Sequence, residues 1–140
     1  PIIEPIVLKC SYYEDQPTTV TVDFEAQNVG YRPTSLNEVR VRVLDGSREL
    51  QGELGLLEDA RGIAAWQRPY QPGYRPESRV DLPIVVGAGF TEHLIATFPL
   101  NGKITQNGAK CFLTVRCTTR EKIAEGRCLS TPPHKASVSF

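Results

Sequence analysis

Apolar and polar positions alternate with a period of two along most of this chain. Val20, Val22, Phe24 and Ala26 face one way, and Thr19, Thr21, Asp23 and Glu25 the other. Val39, Val41 and Val43 alternate with Glu38, Arg40 and Arg42, while Leu94, Ala96 and Phe98 form a third set and Leu113, Val115 and Cys117 a fourth. Successive side chains of a strand leave opposite faces, so each set predicts a strand with one dry face and one wet face. Segments 6–13, 48–54, 79–86 and 127–130 bring the expected count to seven or eight strands.

Turn chemistry separates these segments. Asp45-Gly46, Asn101-Gly102 and Asn107-Gly108 supply the positive φ of tight hairpins, and Glu14-Asp15-Gln16-Pro17 and Gly87-Ala88-Gly89 mark further reversals. Only residues 56–65 offer a helical turn or two, weakened by Gly62. Many short strands with almost no helix predict an all-β fold, an Ig-like antiparallel β-sandwich occupying residues 1–140 as one domain. Thr131-Pro132-Pro133-His134 breaks the pattern, so 131–140 reads as an extended tail in which Ala136, Val138 and Phe140 can resume a strand.

Composition narrows the function classes. At 140 residues and 40% hydrophobic content the chain can build a core and is not disordered as a whole. Sixteen basic residues balance sixteen acidic ones, whereas nucleic-acid binders draw most of their affinity from a basic excess. No nucleic-acid partner is therefore expected. The longest apolar run, residues 82–86, is far short of the roughly 20 residues that span a bilayer, so no membrane insertion of this segment is expected. A start at Pro1 and the absence of methionine read as a processed or excised piece.

The Gln27-Asn28-Val29-Gly30 strand ending, followed by a second alternating strand that closes on Asp45-Gly46, resembles the opening of bacterial Ig-like or fibronectin-III-like domains of the cell-adhesion-related kind. The likeness covers about a quarter of the chain and implies a sandwich fold with a surface-exposed interaction role. It departs from antibody-type domains, in which a disulfide joins two core strands under a tryptophan: the Val20 to Ala26 strand has no cysteine, and Trp66 falls elsewhere.

Four cysteines allow three fully paired connectivities. Cys111 and Cys117 lie in one predicted strand, about 20 Å apart at ~3.3 Å per residue, beyond the roughly 7 Å Cα separation a disulfide bridges. A hairpin turning within residues 121–126 would pair Cys117 with Cys128, and Cys10 could then meet Cys111 if the first strand lies beside the penultimate one. The alternative is four reduced thiols acting as small apolar residues.

Recognisable catalytic and metal motifs are missing. His93 and His134 are far apart in sequence, and there is no Cys-x-x-Cys pair, so a metal site would have to be assembled wholly from tertiary contacts. No metal and no cofactor are expected. The chain lacks a Gly-x-Ser-x-Gly elbow, and a Cys128–His134 pair has no helix N-terminus to lower the thiol pKa. The carboxylate pairs Glu14-Asp15 and Glu58-Asp59 fall in predicted loops, where acids are usually just hydrated. Gly87-Ala88-Gly89 leads into no helix and reads as a strand link, not a phosphate cradle. Arg40 and Arg42 share an outward strand face that is either an anion-binding stripe or a solubilising one. No enzyme is expected.

The stretch WQRPYQPGYRPE, residues 66–77, concentrates aromatics, arginines and prolines. Its prolines forbid a central strand, so it should run extended across one edge. Trp66, Arg68, Tyr70, Tyr74 and Arg75 are residue types enriched at interfaces, and Tyr31 with Arg32 repeats the Gly-Tyr-Arg-Pro element as a second patch. The same rings could instead close the open end of the core as a structural lid. The expected role is a non-catalytic interaction or structural module of a larger extracytoplasmic bacterial protein, with a protein or neighbouring domain as partner. The alternative is a carbohydrate-binding module using Trp66, Tyr70 and Tyr74.

Overall fold

The computed structural model describes residues 2–60, 72–73, 75–118 and 120–132. These contain ten strands and no helix: β1 (Ile3–Tyr13), β2 (Thr19–Asn28), β3 (Thr34–Leu36), β4 (Glu38–Asp45), β5 (Arg48–Glu53), β6 (Leu56–Asp59), β7 (Ile84–Val86), β8 (Thr91–Pro99), β9 (Ala109–Arg116) and β10 (Glu121–Thr131). Eight of them form one curled sheet in the order β5-β4-β9-β10-β1-β2-β8-β6, and β3 pairs with β7 alone. The all-β expectation holds.

The sheet is not wholly antiparallel. β1 runs parallel to β10, with Cys10 opposite Cys128 and Tyr13 opposite Thr131, while its other edge pairs antiparallel with β2. A register shift between Val7 and Lys9 marks a bulge, which increases local twist. The sheet curls far enough for edge strand β5 to reach the end of β8, where Gly52 bridges Leu100. Gly52 is required by that approach: a Cβ there would lie 2.8 Å from the Pro99 carbonyl oxygen. Asn101 completes the seam, its backbone N–H donating to Gln51 O and its side-chain oxygen accepting from Gln51 N.

Three segments differ from the sequence expectation. Residues 56–59 form strand β6 instead of a helical turn, because Leu57 pairs with Ala96 of β8 and lies 2% exposed, so tertiary pairing overrides local propensity. The remainder of that expected helix, 61–65, lies outside the described residues. Within 79–86 only Ile84–Val86 is a strand, and Arg79 makes a single bridge to Glu58. The turn expected within 121–126 lies earlier, at 117–120, where Cys117 N donates to Arg120 O; β10 then runs without a break to Thr131.

The inner face carries the alternating apolar sets. Val20, Val22, Phe24, Ala26, Val39, Val41, Val43, Leu94, Ala96, Phe98, Leu113 and Val115 are all at most 2% exposed, and each large side chain so buried contributes about 1.5–3 kcal/mol. The outer face is a ladder of ion pairs: Arg40 with Glu38 and Glu121, Arg42 with Glu49, Arg116 with Glu38, and Lys110 with Glu125. Arg42 also lies 4.9 Å over the Phe112 ring. Arg40 and Arg42 are thus already neutralised by carboxylates, which favours the solubilising reading of this face over an anion-binding one.

One carboxylate sits at the end of β4. The Asp45 side chain is fully buried and accepts hydrogen bonds from Arg48 (2.6 Å), Thr105 N, Thr105 Oγ1 and Gln106 N. Burial pushes its pKa up, but the hydrogen bonds from Arg48, Thr105 and Gln106 together outweigh that and leave the carboxyl below its ordinary value.

Candidate functional site

The sheet order brings three cysteines together. Cys10 on β1 and Cys128 on β10 are register partners on neighbouring parallel strands. Cys111 on β9 lies opposite Gly126, one diagonal step from Cys128, which itself faces Ala109. All three side chains point into the core and are at most 2% exposed. Their sulfurs lie within 4.8 Å of one another, and Cys10 Sγ is 2.8 Å from Cys128 Sγ. Gly126 helps to keep this space: a Cβ there would collide with Val7 Cγ1 at 2.8 Å and lie 3.7 Å from Cys111 Sγ.

Proximity divides the three acidities. Cys10 is raised well above the usual thiol value by its hydrogen bonds with Cys111 and Cys128, with burial adding to them. Cys111 is lowered because it accepts from Cys10 and Cys128, with a further hydrogen bond from the Gly126 backbone, against the opposing effect of burial. For Cys128 the hydrogen bond with Cys10 acts to lower the pKa, but Cys111 and burial reverse it and the thiol ends up raised. The three thiols titrate as a coupled set, and a second thiolate beside a first is disfavoured without a cation between them.

The expected disulfides do not match this arrangement. No disulfide joins any two of the four cysteines in this structure. With the turn at 117–120, Cys117 sits at the far end of β9, its thiol directed at Arg120 O, while the residue opposite Cys128 is Ala109. That corrects the Cys117–Cys128 pairing. The first strand lies beside β10 and not beside the penultimate β9, so the register partner of Cys10 is Cys128 and not Cys111.

The other candidates are dispersed. Trp66, Arg68, Tyr70 and Tyr74 lie outside the described residues, as does His134. Arg75 is exposed. Tyr31 is 100% exposed at the tip of the β2–β3 connection, with Arg32 exposed beside it. That tip is held by Asn28, which is buried, donates to Arg32 O and Val86 O and accepts from Gly30 N. Among the described residues no hydrogen bond or ion pair joins Arg75 to Tyr31 or Arg32. His93 pairs with Asp23 on the outer face at 2.5 Å. Glu58, expected in a loop, is fully buried on β6 and accepts from Ser78 Oγ at 2.7 Å. Among the described residues no helix is long and apolar enough to cross a membrane.

No protein-family profile matches this chain, and no curated protein does. Among solved structures it is similar to the Pseudomonas fluorescens alkylpurine DNA glycosylase AlkC bound to DNA containing an abasic site analog, with a TM-score of 0.43 and 9% identity over 90% of this chain. The likeness spans 30% of that protein. The expected protein- or carbohydrate-binding role and the expected absence of a nucleic-acid partner find no support in this DNA-bound neighbour and are not carried further. Identity and TM-score this low carry no argument of their own about this chain. Its function has to be read from its own residues.

Proposed function

We propose that this chain is an Ig-like, non-catalytic β domain that binds one soft metal ion through Cys10, Cys111 and Cys128. What supports the Ig-like reading is the strand order: β1 hydrogen-bonds to both β10 and β2, so β5-β4-β9-β10 and β6-β8-β2 would be the two layers of a sandwich. The metal reading rests on one observation, three core cysteines from three strands with sulfurs inside 4.8 Å. Three thiolates about 2.3 Å from a central ion lie about 4 Å apart. Cys10 and Cys128 reach that spacing once their sulfurs separate by roughly 1 Å, and Cys111 lies within 4.8 Å of both.

Sulfur-only donors select soft ions such as Zn(II), Cd(II) or Cu(I) over Mg(II) or Ca(II). Binding drives protons off the cysteine thiols, so affinity rises with pH. Burial at or below 2% exposure leaves no route for a substrate to the sulfurs, which supports a structural centre joining β9, β10 and β1 instead of a catalytic one.

The test is anaerobic titration of the reduced chain with Cd(II), followed by the ultraviolet sulfur-to-metal charge-transfer band. One equivalent should saturate the band, and Cys111→Ser should weaken binding on the order of 100-fold. Absence of the band in the folded chain, or a titration unchanged by Cys111→Ser, contradicts the proposal.

A further inference from the structure

The same register carries a second inference, independent of any metal. We propose that oxidation joins Cys10 to Cys128 and leaves Cys111 and Cys117 as thiols. Cys10 and Cys128 are direct register partners with sulfurs 2.8 Å apart. The competing partner, Cys111, is one strand removed from Cys10 and only diagonal to Cys128, because Gly126 and Ala109 hold the positions opposite Cys111 and Cys128. Cys117 is excluded by its place at the other end of β9.

The oxidant class is a low-molecular-weight disulfide such as glutathione disulfide. One cysteine thiolate attacks it, forming a mixed disulfide and releasing one glutathione thiolate. The second cysteine sulfur then attacks the protein side of that mixed disulfide and expels the second glutathione. Two cysteine thiols are oxidised to one cystine, and glutathione disulfide is reduced to two glutathione thiols, which take up the two protons. In the folded chain the sulfurs are at most 2% exposed, so the exchange takes place as the chain folds, when first strand β1 docks beside last strand β10. The bond would close a loop of 118 residues in sequence separation, the regime in which a cross-link constrains the unfolded chain most. It also removes two of the three metal donors, so the oxidised chain should not bind Cd(II).

The experiment is refolding of the full chain in glutathione redox buffer containing a chelator. Remaining thiols are then alkylated, and the cross-linked peptides are mapped by non-reducing mass spectrometry. The expected product is a Cys10–Cys128 link with Cys111 and Cys117 alkylated, and a Tm raised by about 10 °C over the reduced chain. Cys111→Ser should form the same link. A link involving Cys111 or Cys117, four alkylated cysteines in the refolded chain, or loss of the Cys10–Cys128 link in Cys111→Ser overturns the proposal. The mapping is done without metal, so it fails or succeeds separately from the Cd(II) titration.

Discussion

Strands β9, β10 and β1 carry opposite chemistry on their two faces. Outward, Arg116 and Lys110 meet Glu38 and Glu125 in half-exposed ion pairs. Inward, Cys111, Cys128 and Cys10 share one enclosed space. Water screens the outer charges, so each pair is worth little and any one can be lost. The inner groups have no such solvent, so their protonation states are set by one another. Thiol chemistry concentrates on the dry side, although both of these ion pairs are on the wet side.

Mutations on one strand separate the two faces. The largest effect is expected from Leu113→Ala on the inner face of β9, where complete burial implies a loss of about 2–5 kcal/mol in urea unfolding. Asp45 comes next, as a charge that has crossed to the dry side with Arg48, Thr105 and Gln106 around it. Asp45→Ala should cost about 2–4 kcal/mol at neutral pH, since it strands those donors. The carboxyl is held below its ordinary value, so its contribution is complete above the unfolded value near pH 4 and is lost as pH falls through the lower folded value. The gap in urea midpoint between wild type and Asp45→Ala should therefore shrink on acidification. A gap that widened would place the stabilising form on the protonated side. The smallest effect is expected from Arg116→Ala on the outer face, under about 1 kcal/mol and falling with added salt. A cost equal to that of Leu113→Ala would erase the distinction between the faces.

Strands whose inner residues are large were legible in the sequence. Val20 to Ala26 and Val39 to Val43 place big apolar groups on every second position, and β2 and β4 follow them. β10 was read only at its end, because its half-buried inward residues Ala124 and Gly126 are small while Ile123 and Leu129 face out, more than half exposed. That concealed both the strand and the earlier turn, and the turn decides which residue Cys128 faces. β6 was hidden by helix-forming residues that only β8 could overrule.

The cysteine centre was out of reach for a related reason. Its members come from β1, β9 and β10, and no spacing motif encodes a parallel pairing between the first and last strands. The inward set legible in the sequence was Leu113, Val115 and Cys117; Cys111, two residues before Leu113, shares its phase, but that signal leaves its neighbours open. The aromatic and arginine candidates were chosen by residue type, which says nothing of position. Tyr31 and Arg32 lie exposed on a tip tied down by Asn28, and Trp66, Arg68, Tyr70 and Tyr74 lie outside the described residues.

The most direct measurement is X-ray absorption at the zinc edge on the reduced chain loaded with one equivalent of Zn(II). Three sulfur scatterers at about 2.3 Å are predicted, reduced in number when Cys111 is replaced by serine. A first shell of nitrogen and oxygen, or a sulfur count unchanged in Cys111→Ser, would contradict a thiolate centre built from Cys10, Cys111 and Cys128.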